Sequence, residues 1–229
     1  MPHALSRISV AATLLLAAAL APAVAAAEGL NGFYAGGGAG RADNDYDGTR
    51  FESALSTLAT NGGQTVTFSD AVLRKRSNAW FAYAGYMRWS TIGIEALYLH
   101  LGELTYWSSG ALTPPAQTLD DTTTVRSRGP ALAFVFRLPL AESLDLNLRV
   151  GDYYGKTTLL NTYLINGQLT SATASSSASS LLLGLGAAYT FDGHWSVRLD
   201  YLRVNQAGDS TTVGRYSVNL ASLGASYTF

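Results

Sequence analysis

The sequence predicts an all-β chain: eight antiparallel strands in up-and-down order, closed into a transmembrane barrel. Three observations predict it. Apolar and polar residues alternate with period two through most of the chain, the mark of a two-faced strand. The gaps between alternating segments are by turns long and short. Successive strands therefore reverse direction, with every long connection at one end. Finally, the few charges inside the segments sit opposite the apolar face, where a wall in lipid keeps them from the bilayer.

The segments lie near 31–41, 79–89, 92–102, 125–138, 143–155, 178–191, 195–205 and 216–229. The clearest is "LDLNLRV", with Leu144, Leu146, Leu148 and Val150 on one face and Asp145, Asn147 and Arg149 on the other. Long gaps fall near 42–78, 103–124, 156–177 and 206–215, and these read as extracellular loops because they hold polar, turn-rich stretches such as "DNDYDGTR" and "SATASSSASS". Within the first, Phe51 to Thr60 reads as a short helix. The tight connections are Ser90-Thr91, Pro139 to Glu142 and Asp192-Gly193-His194.

Charged residues make up 14 % of the chain, against about a quarter in soluble domains. By the alternation, Arg88, Glu95, Arg137, Asp145, Arg149, Arg198 and Asp200 point inward. A Lys or Arg facing lipid at mid-membrane costs roughly 2–4 kcal/mol, whereas inside the barrel it finds partners. Trp80, Trp89, Phe191, Trp195, Tyr201, Tyr227 and Phe229 cluster at strand ends, as interfacial girdles do. Eight strands enclose a lumen that side chains nearly fill, so a wide pore is not expected.

Residues 1–27 read as a cleaved secretory signal peptide, followed by a barrel domain over 28–229. Arg7 precedes an Ala/Leu/Val-rich segment, and Ala25-x-Ala27 before Glu28 fits a cleavage site. Cleavage there leaves 14 basic and 16 acidic residues. That balance gives no basic nucleic-acid surface. The absence of cysteine removes disulfides and thiol chemistry.

The stretches "GFYAGGGAG", "IGIEALYL", "LLLGLGAAYTF", "HWSVRLDYLRV" and "LASLGASYTF" resemble the small eight-stranded OmpA-like outer-membrane barrels, which include the opacity-protein and OmpX-type branches. Ser222, Gly224, Tyr227 and Phe229 resemble the β-signal read by the barrel assembly machinery. The resemblance implies residence in the outer membrane of a Gram-negative bacterium, periplasmic termini, and a structural or surface-interaction role through the loops. The chain is expected to stop at the barrel, without the peptidoglycan-binding domain that some relatives carry. No cofactor is implied, and no extracellular partner is named. A narrow channel for small solutes is the alternative role, and a lipid A-modifying enzyme ranks behind it.

Other motifs are weaker. Asp43, Asp45, Asp47 and Gly48 match the opening of a calcium loop, but its bidentate position falls on Ala54. The stretch reads as a solvated acidic loop, and no metal site is expected. Arg74, Lys75 and Arg76 form a basic cluster suited to lipopolysaccharide phosphates. His194 and Ser196 share the His-x-Ser spacing of lipid A deacylases, yet the topology puts His194 in a periplasmic turn. No catalytic residue is expected on that ground.

Overall fold

The computed structural model describes residues 32–209 and 214–229; the expected signal peptide lies outside them. The elements are β1 (Gly32–Asp45), α1 (Thr49–Asn61), β2 (Thr65–Arg74), β3 (Arg76–Arg88), β4 (Ile92–Thr113), β5 (Gln117–Ala141), β6 (Leu144–Ile165), β7 (Gln168–Thr190), β8 (Trp195–Ala207) and β9 (Tyr216–Thr228). Every pairing is antiparallel. β1 pairs with both β3 and β9, so the wall closes and leaves no free edge along the barrel. The ring runs β1-β3-β4-β5-β6-β7-β8-β9 and back to β1. β2 adds no ninth wall: it continues the line of β3 past Lys75 and pairs with the far half of β4.

Where the sequence reads as loop over much of 103–124 and 156–177, the structure has strand. β4, β5, β6 and β7 run on far beyond the 9–11 residues that cross a membrane. They form two long hairpins closed by short turns, the second at Asn166-Gly167, both with positive φ. Ser, Thr and Ala dominate these stretches and carry little hydropathy contrast. Thr nevertheless suits a pleated strand, and Leu112, Leu119 and Val125 bury themselves on the inner face. The far halves of β2, β4, β5, β6 and β7 thus form a curved sheet standing on one side of the barrel mouth.

Ile94, Leu132, Phe134, Leu185, Leu199 and Leu223 are exposed on the outer wall and make the lipid-facing belt. The interior is only partly polar. A charged layer occupies the tight-turn half, and above it lie Phe81, Leu97, Leu99, Leu202 and Leu220, all buried. The lumen is therefore packed like a core.

Candidate functional site

Two features carry chemistry: the charged layer within the barrel and a cup at its far mouth. Glu95 on β4, Arg149 on β6 and Asp200 with Arg198 on β8 meet across the lumen. Arg149 Nε donates to Glu95 Oε1 at 2.8 Å, and its Nη1 donates to Asp200 Oδ1 at 2.8 Å. Arg198 closes the circuit from the other side, with Nη1 3.5 Å from Glu95 Oε2 and Nε 3.5 Å from Asp200 Oδ2. Two acids and two bases alternate around a closed ring, and Arg149 is 1 % exposed.

The neighbouring strands make room for this ring. Arg149 lies opposite Gly184 of β7, and Asp200 lies opposite Gly186. A Cβ built on Gly186 would collide with Asp200 Oδ1. Only glycine there lets the carboxylate reach across to Arg149. Tyr34 donates its hydroxyl to Glu95 Oε2 at 3.0 Å, and the Arg198 guanidinium lies 4.4 Å from the Tyr83 ring centroid. Nearer the tight turns, Arg137 Nε stands 3.8 Å from Asp145 Oδ2. The gap beside these side chains is about 10 Å³, near the space of a single water molecule.

Arg88 is a correction. It is exposed on the outer wall at the end of β3, its guanidinium 4.7 Å from the Trp89 ring centroid, while Met87 points inward. "FAYAGYMRW" is apolar on both faces, so alternation alone leaves its sidedness open. Of the seven charges expected inside, Glu95, Arg137, Asp145, Arg149, Arg198 and Asp200 do point inward, three of each sign.

Ser222 faces inward, its Oγ 3.3 Å from the carbonyl oxygen of Asp200, and Gly224 packs against the Gly37 carbonyl. Tyr227 touches Trp195, His194 and Phe229, with ring centroids 5.1, 5.6 and 5.2 Å away. This aromatic group sits at the Asp192 turn, where Asp192 Oδ1 accepts the amides of His194 and Trp195. Those bonds, Trp195's first, hold the Asp192 carboxyl below its usual range. His194 and Ser196 do not meet: Ser196 Oγ is 2.7 Å from Thr190 Oγ1, and His194 stacks on Tyr227. Arg74 lies 5.4 Å from the Trp107 ring centroid, Arg76 pairs with Asp43 at 3.0 Å, and the Lys75 carbonyl accepts from Asn44. Asp47 Oδ1 accepts the amide of Thr49, and no group of three or more metal-ligating side chains forms among the described residues.

The cup assembles only in the fold, from side chains far apart in the sequence. α1 lies over the mouth and packs Phe51 between Tyr46 and Tyr106, with ring centroids 4.8 and 5.0 Å away. Phe51 and Leu55, four apart, form its buried stripe, which was the one local signal available. Between α1 and the tall sheet opens a cleft of about 660 Å³ lined by Arg50, Leu55, Leu159, Asn161, Tyr163 and Arg215. Asp121, on the inner face beside Thr123, is pushed up to about 6 by burial, partly offset by the Thr123 hydroxyl.

A family model described as an OmpA-like transmembrane domain matches residues 28–229. Outer membrane protein A of Yersinia pseudotuberculosis serotype I (strain IP32953) is 31 % identical over 149 residues, 65 % of this chain and 39 % of the relative. Outer membrane protein A of Serratia marcescens is also 31 % identical over 149 residues, 65 % of this chain and 38 % of the relative. The chain spans about two fifths of the length of these curated relatives. Among solved structures, the attachment invasion locus protein Ail of Yersinia pestis is 18 % identical, with a TM-score of 0.40 covering 87 % of this chain and 99 % of that one. Neisserial surface protein A is 15 % identical, with a TM-score of 0.41 covering 88 % and 100 %.

Proposed function

The chain belongs to the OmpA-like transmembrane domain family of outer-membrane β-barrels, and from that premise we propose that its barrel is a sealed anchor while its tall sheet and cup are the working surface. The closed ion-pair ring carries this reading. A lumen filled by paired charges below and by leucines above offers no continuous water path. From Arg128 to Thr118, β5 rises about 25 Å more along the barrel axis at 3.3 Å per residue and a tilt near 40°. The role is then structural or adhesive, not catalytic, with a partner met at the cup and hairpins.

Short turns at one end and tall hairpins at the other match the periplasmic and extracellular ends of such barrels. That supports periplasmic termini, with residues 1–27 removed on export. Ser222, Gly224, Tyr227 and Phe229 serve the assembly machinery, and Arg74, Lys75 and Arg76 contact lipopolysaccharide. A small-solute channel is the second reading. It is favoured by the looser Arg198 side of the ring, at 3.5 Å against 2.8 Å for Arg149.

Two measurements test the proposal. In planar bilayers the sealed anchor gives no reproducible openings; stable openings, more frequent in Arg198→Ser, establish the channel. Protease added to intact cells cuts within 46–64, 103–124 or 156–177 and spares the tight turns. Cleavage at 191–194 instead would invert the topology.

A further inference from the structure

On the outer wall, register places three side chains of β4, β5 and β6 in one row. His100 lies opposite Arg128, and Arg128 lies opposite Lys156. Arg128 and Lys156 are exposed and His100 is half-buried. The row continues sideways to Trp80, which stacks on His100 at 5.8 Å with planes 6° apart. The amide of Gly102 donates to His100 Nδ1, so the ring's Nε2 carries the proton and faces away as a donor.

The height of the row is informative. From Ile92 to His100 the strand climbs about 20 Å along the barrel axis, at 3.3 Å per residue and a tilt near 40°, against a belt about 25 Å tall. One step nearer the membrane centre on the same face stand Tyr98 and Tyr154, 42 % and 60 % exposed, as interfacial aromatics are. The row therefore lies where the far leaflet's head groups begin.

Its charges are uncompensated. Like charges directly opposite on a sheet destabilise it, yet neither Arg128 nor Lys156 has a salt bridge among the described residues. The acids nearest the row on this face are engaged elsewhere: Glu103 with Arg126 at 2.6 Å and Asp152 with the Ser179 hydroxyl at 2.6 Å. A paired Arg and Lys, one neutral N–H donor and no acceptor form a site for a doubly charged oxyanion.

We infer that His100, Arg128 and Lys156 form a docking site on the outer wall for the phosphate head of an outer-leaflet glycolipid. The phosphate sits between the Arg128 guanidinium and the Lys156 ammonium and relieves their repulsion. The Nε2–H of His100 supplies a third donor, and the acyl chains run down past Tyr98 and Tyr154. The inference rests on the outer-membrane reading of the barrel, and it is independent of what the cup holds.

The full chain is folded into phosphatidylcholine vesicles, alone, with lipid A bearing both phosphates, or with dephosphorylated lipid A. Its unfolding temperature is read from the gel mobility of the folded form. Phosphorylated lipid A raises the temperature by several degrees and dephosphorylated lipid A does not. Arg128→Gln with Lys156→Gln loses most of that rise, while unfolding in plain phosphatidylcholine at the wild-type temperature or above. Arg50→Gln with Arg215→Gln, equal in charge but at the cup, keeps the rise. Inorganic phosphate in the buffer gives no rise, because the lipid anchors the anion at the row. A full rise in the Arg128/Lys156 variant, an equal rise with inorganic phosphate, or an equal loss in the cup variant overturns the inference. Failure of the outer-membrane reading shows separately, as a chain that does not fold into any of the vesicles.

Discussion

Replacing Arg149 by Met removes the hub of the charged ring while keeping most of the side chain's volume. The guanidinium bridges Glu95 and Asp200 at 2.8 Å each and is 1 % exposed. Its loss leaves two buried carboxylates with Arg198 as their one remaining cation in the ring, at 3.5 Å from each. Breaking a buried pair on one side costs about 3–5 kcal/mol. For a chain of this size that lowers the unfolding temperature on the order of 10 °C. The assay is thermal or urea unfolding in detergent micelles, read from the mobility of folded and unfolded forms on a gel. The second variant carries the argument further. Arg149→Met combined with Glu95→Gln leaves Arg198 and Asp200 as a neutral remainder, and more than half of the lost stability returns. An unchanged midpoint in the single variant refutes the ring's structural role. A double variant no better than the single shows that the loss was one of packing, not of charge.

Three further outcomes follow from the same geometry. Gly186→Val places a side chain where Asp200 Oδ1 lies, so the unfolding midpoint falls toward that of Arg149→Met; no fall means the carboxylate does not need that space. Phe51→Ala removes the ring clasped by Tyr46 and Tyr106, at a cost of about 3–5 kcal/mol to the docking of α1, seen as faster protease cleavage within 46–64 while the barrel's own midpoint holds. Burial pushes the Asp121 carboxyl up from 3.8 to about 6, so between those values the native state holds a proton that the unfolded state has released. Its contribution therefore falls as pH rises through that window and is flat above it. Asp121→Asn loses that component, and its midpoint exceeds wild type more at pH 7 than at pH 4.5; equal differences at both would count against a buried carboxyl.

What the sequence made legible follows from contrast between neighbours. "LDLNLRV" and "SVRLDYL" set charges against leucines, so the sides taken by Asp145, Arg149, Arg198 and Asp200 can be read residue by residue. "FAYAGYMRW" has no such contrast, and there alternation puts Arg88 on the wrong side. The same lack hid the tall hairpins: Ser, Thr and Ala look like loop when hydropathy is the guide, although β7 pairs with β6 from Gln168 onward. The ring itself depends on register between β4, β6 and β8, with Gly184 and Gly186 clearing the way, and no single strand encodes that. The cup is harder still, since Tyr46 with Phe51, Tyr106 and Tyr216 come from three distant points of the chain.

The ring also has a consequence for how the wall is built. Its members come from alternate strands, so a growing sheet that holds β4 and β6 carries only the Glu95–Arg149 pair. Asp200 and Arg198 arrive together on β8, a self-neutral couple whose docking completes the circuit. Tyr34 reaches Glu95 from β1, the strand that must finally meet β9. A slip of one residue at any intervening seam turns an inward charge toward lipid. The circuit is thus a checksum on assembly: it is satisfied only when the right strands have been added in the right alignment, and until then the unfinished wall is penalised for entering the bilayer.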